Sequence, residues 1–258
     1  MIAATLARWG ISSLALIDPD HVEPHNADAG EFHSQFDEGR NKAIVVASTV
    51  RRLLHPGGQV TAHDQSVLAA LPFSAARRAD VIISCVDDDG ARLIASLIAS
   101  SHSRIHLDIG TQVTKGNAGR RTAGADIRLI IPGRTPRCLA CFGGFAQQHD
   151  LARLAGFETL PTPGWQQTRS GSLRTVNQIA AHLGLRLIER MASGEICHST
   201  WLRYEDAPLP TLREINPEDM AVCPICTGHA ASGDAVLVNR DTKIRQIVRA
   251  ITNPRSGS

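Results

Sequence analysis

The sequence lacks several features that mark whole classes of protein. No apolar run approaches the roughly 20 residues that a membrane-spanning helix needs. No run of five or more like charges occurs, and a formal net charge of +2 gives no indication of nucleic-acid binding. The first residues contain neither a basic leader nor a cleavage site, so we expect no signal peptide and a cytoplasmic location.

The chain also lacks the G-x-G-x-x-G turn of many nucleotide-binding proteins. What it does contain is an ordinary globular composition, with 258 residues of which 43% are apolar. This size fits one large α/β domain, or one domain with a small appendage.

Apolar segments that alternate with helical patterns indicate the fold class. Strands are predicted at 13–18, 59–63, 80–85 and 104–109, antiparallel segments within 111–131, and short strands near 199–205 and 211–215. Helices are predicted at 2–9, 40–55, 90–101, 172–192 and 241–252. We therefore expect a doubly wound, mostly parallel, Rossmann-like sheet with an antiparallel extension. The apolar stripe of the helix at 172–192 faces either the core or a second copy of the chain: Leu173, Val176, Ile179, Leu183 and Leu187.

Two Cys-x-x-Cys pairs are the most specific motif: Cys138 with Cys141, and Cys223 with Cys226. Four thiolates in two such turns form a tetrahedral zinc site, which here would join two distant segments of one fold. The simpler interpretation is four unrelated core cysteines. The remaining cysteines, Cys85 and Cys197, are expected to be buried apolar residues.

Charged residues follow two of the predicted strands. Asp18 and Asp20 come after the first, where an acid contacts the ribose in nucleotide-binding sheets, and Lys42 opens the next helix, where a cation can reach phosphates. Asp87 follows the strand at 80–85, with Arg92 one turn into the next helix, and a carboxylate there can hold magnesium. Each alone has a simpler explanation: a turn, a helix cap or a solvated lysine.

Together these motifs resemble the ThiF, MoeB and HesA family of adenylyltransferases, which includes the adenylation domains of ubiquitin-activating enzymes. The resemblance runs from residue 3 to about 228, through LARWGISSLALIDPDHVEPHN, GRNKA, DVIISCVDDDGAR, RCLAC and CPIC. It implies a nucleotide-binding part at 1–131, a zinc-pinned crossover loop, long helix and short strands at 132–228, and a C-terminal helix and tail at 229–258.

The resemblance also implies roles for individual residues. Lys42 and Asp87 match the catalytic lysine and the magnesium-associated aspartate of the family, and the four paired cysteines match its zinc ligands. The nucleotide-contacting positions match Asp18, Asp20, Asn26, Lys42, Asp87 and Arg92. ATP, magnesium and zinc are therefore the implied cofactors.

Two departures from the family pattern affect these expectations. Ala29 stands where the family usually has a phosphate-contacting arginine, and Arg40 is a candidate substitute. The family's first strand and glycine loop have no counterpart, so we expect a gap beside residues 13–18. The loss of about three phosphate donors removes roughly 5–9 kcal/mol, which predicts weak ATP binding. A gene start assigned too late, a truncated gene or a true loss of function would each account for it.

The reaction implied by the resemblance is attack by the C-terminal carboxylate of a small ubiquitin-like or sulfur-carrier protein on the α-phosphate of Mg-ATP. Residues 142–196 contain no cysteine, so we expect adenylation without a thioester step. A homodimer is also implied. Two alternatives stay open: a degenerate, non-catalytic member that serves as a binding or dimerisation scaffold, and a nicotinamide-dependent oxidoreductase.

Overall fold

The computed structural model describes residues 1–24, 26, 32, 34–115, 121–133, 138–145, 151, 154–156, 173–216 and 223–252. The strands are β1 (Ser13–Ile17), β2 (Gln59–His63), β3 (Val81–Ser84), β4 (Ile105–Lys115), β5 (Arg121–Ile130), β6 (Thr200–Glu205) and β7 (Thr211–Glu214). The helices are α1 (Ile2–Arg8), α2 (Ser34–Asp37), α3 (Lys42–Arg51), α4 (Ala70–Arg78), α5 (Asp89–Ser101), α6 (Arg174–Ala192), α7 (Cys226–His229) and α8 (Arg240–Thr252). Short 3-10 turns lie at Ala140–Phe142 and Gly233–Leu237.

The strands form two sheets, which confirms the α/β class. β1 pairs with β2 in parallel, and β3 pairs with β4 in parallel. β4 to β7 then continue as an antiparallel extension in chain order. Among the described strands, no ladder joins β1 to β3, so the expected interruption beside residues 13–18 is present.

Apolar side chains cover both faces of the larger sheet. Ile82 packs in a cluster with α5, α8 and the cysteine turns, whereas the adjacent Ile83 packs in a cluster with α6. This alternation is what a strand with two covered faces requires. A third cluster joins α1 and α3 to β1 and β2, through Ala7, Ala47, Val50 and Val60. None of the described helices is long and apolar enough to span a bilayer.

The α6 helix packs on the sheet with only part of the predicted stripe. Val176 and Leu187 are buried against β4 and β5, but Leu173 and Ile179 are exposed by 38% and 37%. Small residues form much of the buried face, since Ala180 lies at the contact and a side chain at Gly184 would meet Ile109. The close approach of helix and sheet therefore depends on small residues that a search for large apolar ones overlooks.

The sequence analysis assigned no helix between residues 64 and 80, where the structure has α4. A proline such as Pro72 usually interrupts a helix. Here it lies in the first turn of α4, where proline removes no helical hydrogen bond. α3 also begins later than predicted, because Asn41 caps it.

Candidate functional site

Asn41 fixes the loop that follows β1. Its Nδ2 donates to the backbone oxygens of Asp18 at 2.7 Å and Asp20 at 3.0 Å, while its Oδ1 accepts from the N–H of Ile44 at 3.1 Å. Asn41 is buried, so these bonds are shielded from water. Asn41 thus holds the loop that contains Asp18 and Asp20, called the acidic loop below, against the first turn of α3. The sequence analysis missed this role, although an asparagine directly before a helix is a common cap.

Lys42 is the first residue of α3 and faces the same loop. Its Nζ lies 3.2 Å from Oδ2 of Asp20. Burial raises the pKa of the Asp18 carboxyl, the charge of Lys42 opposes that rise, and the charges of Asp20 and Asp87 add to it. Three of the predicted site residues, Asp20, Lys42 and Asp87, therefore each lie within electrostatic range of a fourth, Asp18.

The acidic run after β3 divides into three different environments. Asp87 is exposed at the carboxyl end of the strand. Asp88 caps α5, since its Oδ1 accepts from the N–H of Ala91 at 2.8 Å. Asp89 is buried and lies 3.3 Å from Nη1 of Arg92. Of the three carboxylates, only that of Asp87 lies on an exposed residue.

Arg92 points into the protein. Its Nε lies 3.5 Å from Oδ1 of Asp108, a carboxylate with no exposed surface. An added Cβ at Gly110 would overlap the Arg92 guanidinium, so the absence of a side chain at that position makes room for it. A contact between Arg92 and a nucleotide remains a prediction, and in this structure its charge is engaged by buried aspartates.

The other predicted phosphate contacts have local partners. Oδ1 of Asn26 accepts from the N–H of Glu23 at 2.9 Å, as in a tight turn. Nη1 of Arg40 lies 3.0 Å from Oδ1 of Asp37, and both residues lie before α3. Ala29 lies outside the described residues. That Arg40 takes the role of the phosphate-contacting arginine, which the family has at the position of Ala29, therefore stays a prediction.

A buried polar network extends from α5 across the sheet. The Ser84 hydroxyl donates to Oδ1 of Asp108 at 2.8 Å and lies 2.8 Å from Nε2 of His106. Nη1 of Arg128 donates to Oδ2 of Asp108 at 3.3 Å. The sequence analysis missed this network. The alternation of polar and apolar residues in IHLDI at 105–109 was the available signal, since it places both polar side chains on one face.

The network ends at Asp126 on β5. Its carboxylate accepts from Nε1 of Trp201 at 2.8 Å and from Nε of Arg203 at 2.8 Å. Burial alone would raise the pKa of Asp126, but the bond from Arg203, the charge of Arg128 and the bond from Trp201 hold it below its ordinary value. The Arg128 guanidinium also lies over the Trp201 ring, 4.6 Å from its centroid.

The four paired cysteines meet at one point. Sγ of Cys138 lies 3.4 Å from Sγ of Cys223, and Sγ of Cys141 lies 3.6 Å from Sγ of Cys226. All four sulfurs lie within 4.8 Å of one another. Tetrahedral zinc–thiolate geometry requires sulfurs about 3.8 Å apart, so the donor set and its spacing fit one zinc ion. The interpretation as unrelated core cysteines is therefore wrong.

The other two cysteines lie elsewhere. Cys85 and Cys197 are both exposed, so the expectation that they are buried apolar residues is wrong. Cys85 directly follows β3, on the side where no ladder joins it to β1. Cys197 lies in the segment between α6 and β6.

Comparison with known proteins places these features in context. A profile of the ThiF family matches residues 1–233. Ubiquitin-like modifier-activating enzyme 5 is 24% identical over 152 residues in Caenorhabditis briggsae and 26% over 151 residues in Gallus gallus. These alignments cover 55% and 54% of this chain. They cover 33% and 36% of the relatives, so the matched part spans about a third of their length.

The fold is also similar to solved structures of MccB from E. coli. The structure of MccB with ATP has a TM-score of 0.63 and 17% identity, and the match covers 87% of this chain and 62% of that chain. A second structure, with MccA-N7isoASN, has a TM-score of 0.65 and 17% identity, with 87% and 63% covered. At 17% identity, this similarity shows that the chain shares the fold of MccB.

Proposed function

The chain belongs to the ThiF family, and we propose that it is an ATP-dependent adenylyltransferase. In this proposal it activates the C-terminal carboxylate of a small ubiquitin-like or sulfur-carrier protein, or of a peptide. The carboxylate attacks the α-phosphate of ATP, the bond to pyrophosphate breaks, and an acyl-adenylate forms. The names of the relatives, a ubiquitin-like modifier-activating enzyme and a protein solved with ATP, support this reaction class.

One observation carries the proposal: Asp18, Asp20, Lys42 and Asp87 gather at the carboxyl ends of β1 and β3. Ligands of doubly wound sheets bind at this edge. The Lys42 ammonium now beside Asp20 would turn to the phosphates, and Asp18 and Asp20 would contact the ribose. Asp87 would hold a magnesium ion, whose charge offsets that of the phosphates. Catalysis then rests on positioning and charge, with Lys42 and Asp87 as the catalytic residues.

We also propose that the cysteine cluster binds zinc in a structural role. Four thiolates fill the coordination of one tetrahedral ion, so no position stays open for a substrate. The ion would join the turn at 138–141 to the turn at 223–226.

The proposed reaction ends at the adenylate, since residues 142–196 contain no cysteine. If Cys197 carried a thioester, Cys197→Ala would abolish a reducible band between the chain and its carrier protein. We expect no such band with the wild-type chain or with Cys197→Ala. We further propose a cytoplasmic homodimer, which light scattering of the zinc-loaded chain would test.

ATP–pyrophosphate exchange tests the proposal directly. The assay uses a panel of ubiquitin-like and sulfur-carrier proteins, each with a free C-terminal carboxylate and each repeated with the carboxylate amidated. Exchange that occurs with the free carboxylate and is absent with the amidated one supports the proposal. Lys42→Ala and Asp87→Asn are expected to lower exchange at least 100-fold, because each removes charge compensation at the phosphates. Lys243→Ala, on α8, is the matched control and is expected to keep full exchange.

The second candidate is a non-catalytic scaffold, favoured by the interruption between β1 and β3 and by the engagement of Arg92 with Asp89 and Asp108. A scaffold would bind its carrier protein equally well with and without ATP. It would show no exchange with any carboxylate. That pair of results would reject the adenylyltransferase and select this alternative.

A further inference from the structure

The four paired cysteines do not share one environment. Cys138 and Cys223 are buried, whereas Cys141 is partly exposed. A thiolate that solvent reaches can react with small oxidants, and a buried one is shielded from them. Cys141 therefore offers a peroxide a point of entry to the cluster.

Cys141 lies nearer to the second turn than to the other cysteine of its own turn. Its Sγ is 3.6 Å from Sγ of Cys226 and 3.8 Å from Sγ of Cys138. Sγ of Cys138 in turn lies 3.4 Å from Sγ of Cys223. A disulfide has a sulfur–sulfur distance of about 2.05 Å, so Cys141 and Cys226 must approach by roughly 1.5 Å, which side-chain rotation can supply. The nearest pairs thus run between the two turns.

Protein contacts that need no metal hold both turns in place. The N–H of Leu139 donates to the buried Ser96 hydroxyl of α5 at 3.2 Å. In the second turn, the N–H of Cys223 donates to Oγ1 of Thr227 at 3.2 Å, and Ile225 is fully buried in the core. The sulfurs of the two turns therefore remain neighbours when the ion is absent, as an oxidative link between them requires.

We propose that the cluster is an oxidation-sensitive site, in which a peroxide links Cys141 to Cys226 and zinc is lost. The Cys141 thiolate attacks one peroxide oxygen, the O–O bond breaks, and a sulfenic acid forms as hydroxide leaves. The Cys226 thiolate attacks that sulfur, the S–S bond forms, the S–O bond breaks, and a second hydroxide leaves. Two electrons pass from the two sulfurs to the peroxide, and both hydroxides take up protons.

The chain then retains only the thiolates of Cys138 and Cys223, two of the four ligands that a structural zinc requires, and releases the ion. This inference rests on the zinc site of the proposed function and is independent of the adenylyltransferase reaction. The disulfide joins the same two turns as the ion, through residues 85 apart in the chain. We expect the oxidised, zinc-free chain to melt roughly 10 °C above the reduced, zinc-free chain.

Peroxide treatment of the zinc-loaded full chain tests the proposal. A colorimetric indicator measures released zinc, and the free thiols are then alkylated before digestion with trypsin. Cys138 and Cys141 share the tryptic peptide 138–153, and Cys223 and Cys226 share the peptide 214–240. We expect these two peptides to be joined by one disulfide, with two alkylated cysteines and one zinc released for each link. Dithiothreitol should separate the peptides and restore zinc uptake.

Two substitutions in the first turn form a matched pair, because each removes one cysteine of the cluster. With zinc absent, we expect Cys138→Ser to keep the link and Cys141→Ser to lower its yield at least about tenfold, since Cys138 and Cys223 are buried. Equal yields from the two variants would overturn the proposal. So would a disulfide within each peptide, or zinc release without joined peptides.

Failure of the zinc site is distinguishable from failure of the oxidation site. A chain that takes up no zinc would contradict the structural zinc of the proposed function. The joined peptides would still decide, on that same chain, whether Cys141 and Cys226 form the disulfide.

Discussion

The ring of Phe142 meets the indole of Trp201 edge to face, with the two centroids 6.1 Å apart. Phe142 lies in the turn that contains Cys141, and Trp201 lies on β6 of the antiparallel extension. Phe142 is buried, so a movement of the cysteine turn must change the surroundings of Trp201. The proposed zinc site is thereby connected to an intrinsic fluorophore.

Zinc removal is expected to change Trp201 emission and to destabilise the chain strongly, since a structural zinc supplies on the order of 10 kcal/mol. The measurement is fluorescence and thermal unfolding in the presence of a chelator, in a Trp9→Phe background that removes one competing indole. Cys141→Ser should reproduce the effect without chelator. Cys197→Ser, an exposed cysteine outside the cluster, should not. Equal stability with and without zinc would contradict the structural role.

Two substitutions at Asn41 separate helix capping from loop positioning. Asn41→Ala removes the cap of α3 and both bonds to the acidic loop, so we expect a loss of about 1–2 kcal/mol and weaker ATP binding. Asn41→Ser keeps a capping oxygen but is too short to donate to the loop oxygens. We expect it to retain most of the stability, measured by urea unfolding, yet to lose as much ATP affinity as Asn41→Ala. Wild-type ATP affinity in Asn41→Ser would show that the loop needs no such support.

Buried His106 makes stability depend on pH. Its pKa is about 4 in the fold against an ordinary 6.5, so the unfolded chain takes up a proton first as the pH falls. Stability is therefore expected to decrease between pH 6.5 and 4 and to be unaffected by this group above 6.5. The full difference is about 3 kcal/mol. Urea unfolding at several pH values measures it, and His106→Gln should show a flatter profile over the same window.

Asp108 compensates two arginines, the buried Arg128 and the partly buried Arg92. Asp108→Asn leaves these cations without their shared carboxylate, so we expect a loss of about 3–5 kcal/mol in the free energy of unfolding. Asp80→Asn is the control, because the Asp80 side chain is fully exposed and lies 4.0 Å from its arginine. We expect no measurable change in stability there, because solvent screens an exposed ion pair. Similar effects of the two substitutions would exclude a central role for Asp108.

The motifs of the sequence predicted the parts of the site that are local in the chain. Asp18 follows a short apolar strand and Lys42 opens a helix, and both placements follow from patterns of a few residues. The Cys-x-x-Cys spacing likewise predicted that each pair faces a common point. The interruption beside β1 followed from comparison of element order with the family pattern.

The partners of buried charges were not predictable in this way. Arg92 was predicted to contact the nucleotide, but Asp108 and Gly110, on β4, determine where its guanidinium lies. Asn41 was overlooked because its two loop contacts are made to backbone oxygens, which any sequence provides. The exposure of Cys85 was not predictable from the apolar residues 81–83 before it, because exposure there depends on which strands pair.

The sequence by itself determined the α/β class, the two cysteine pairs and the order of charged residues along the chain, because these depend on short-range periodicity and spacing. Only the tertiary structure decided that the two cysteine pairs meet, that Asp18 and Asp87 share one electrostatic environment, and that His106 is buried beside Ser84 and Asp108. Each of these depends on how segments far apart in the chain pack together. Packing of that kind is governed by the shape and burial of the whole core rather than by any local pattern.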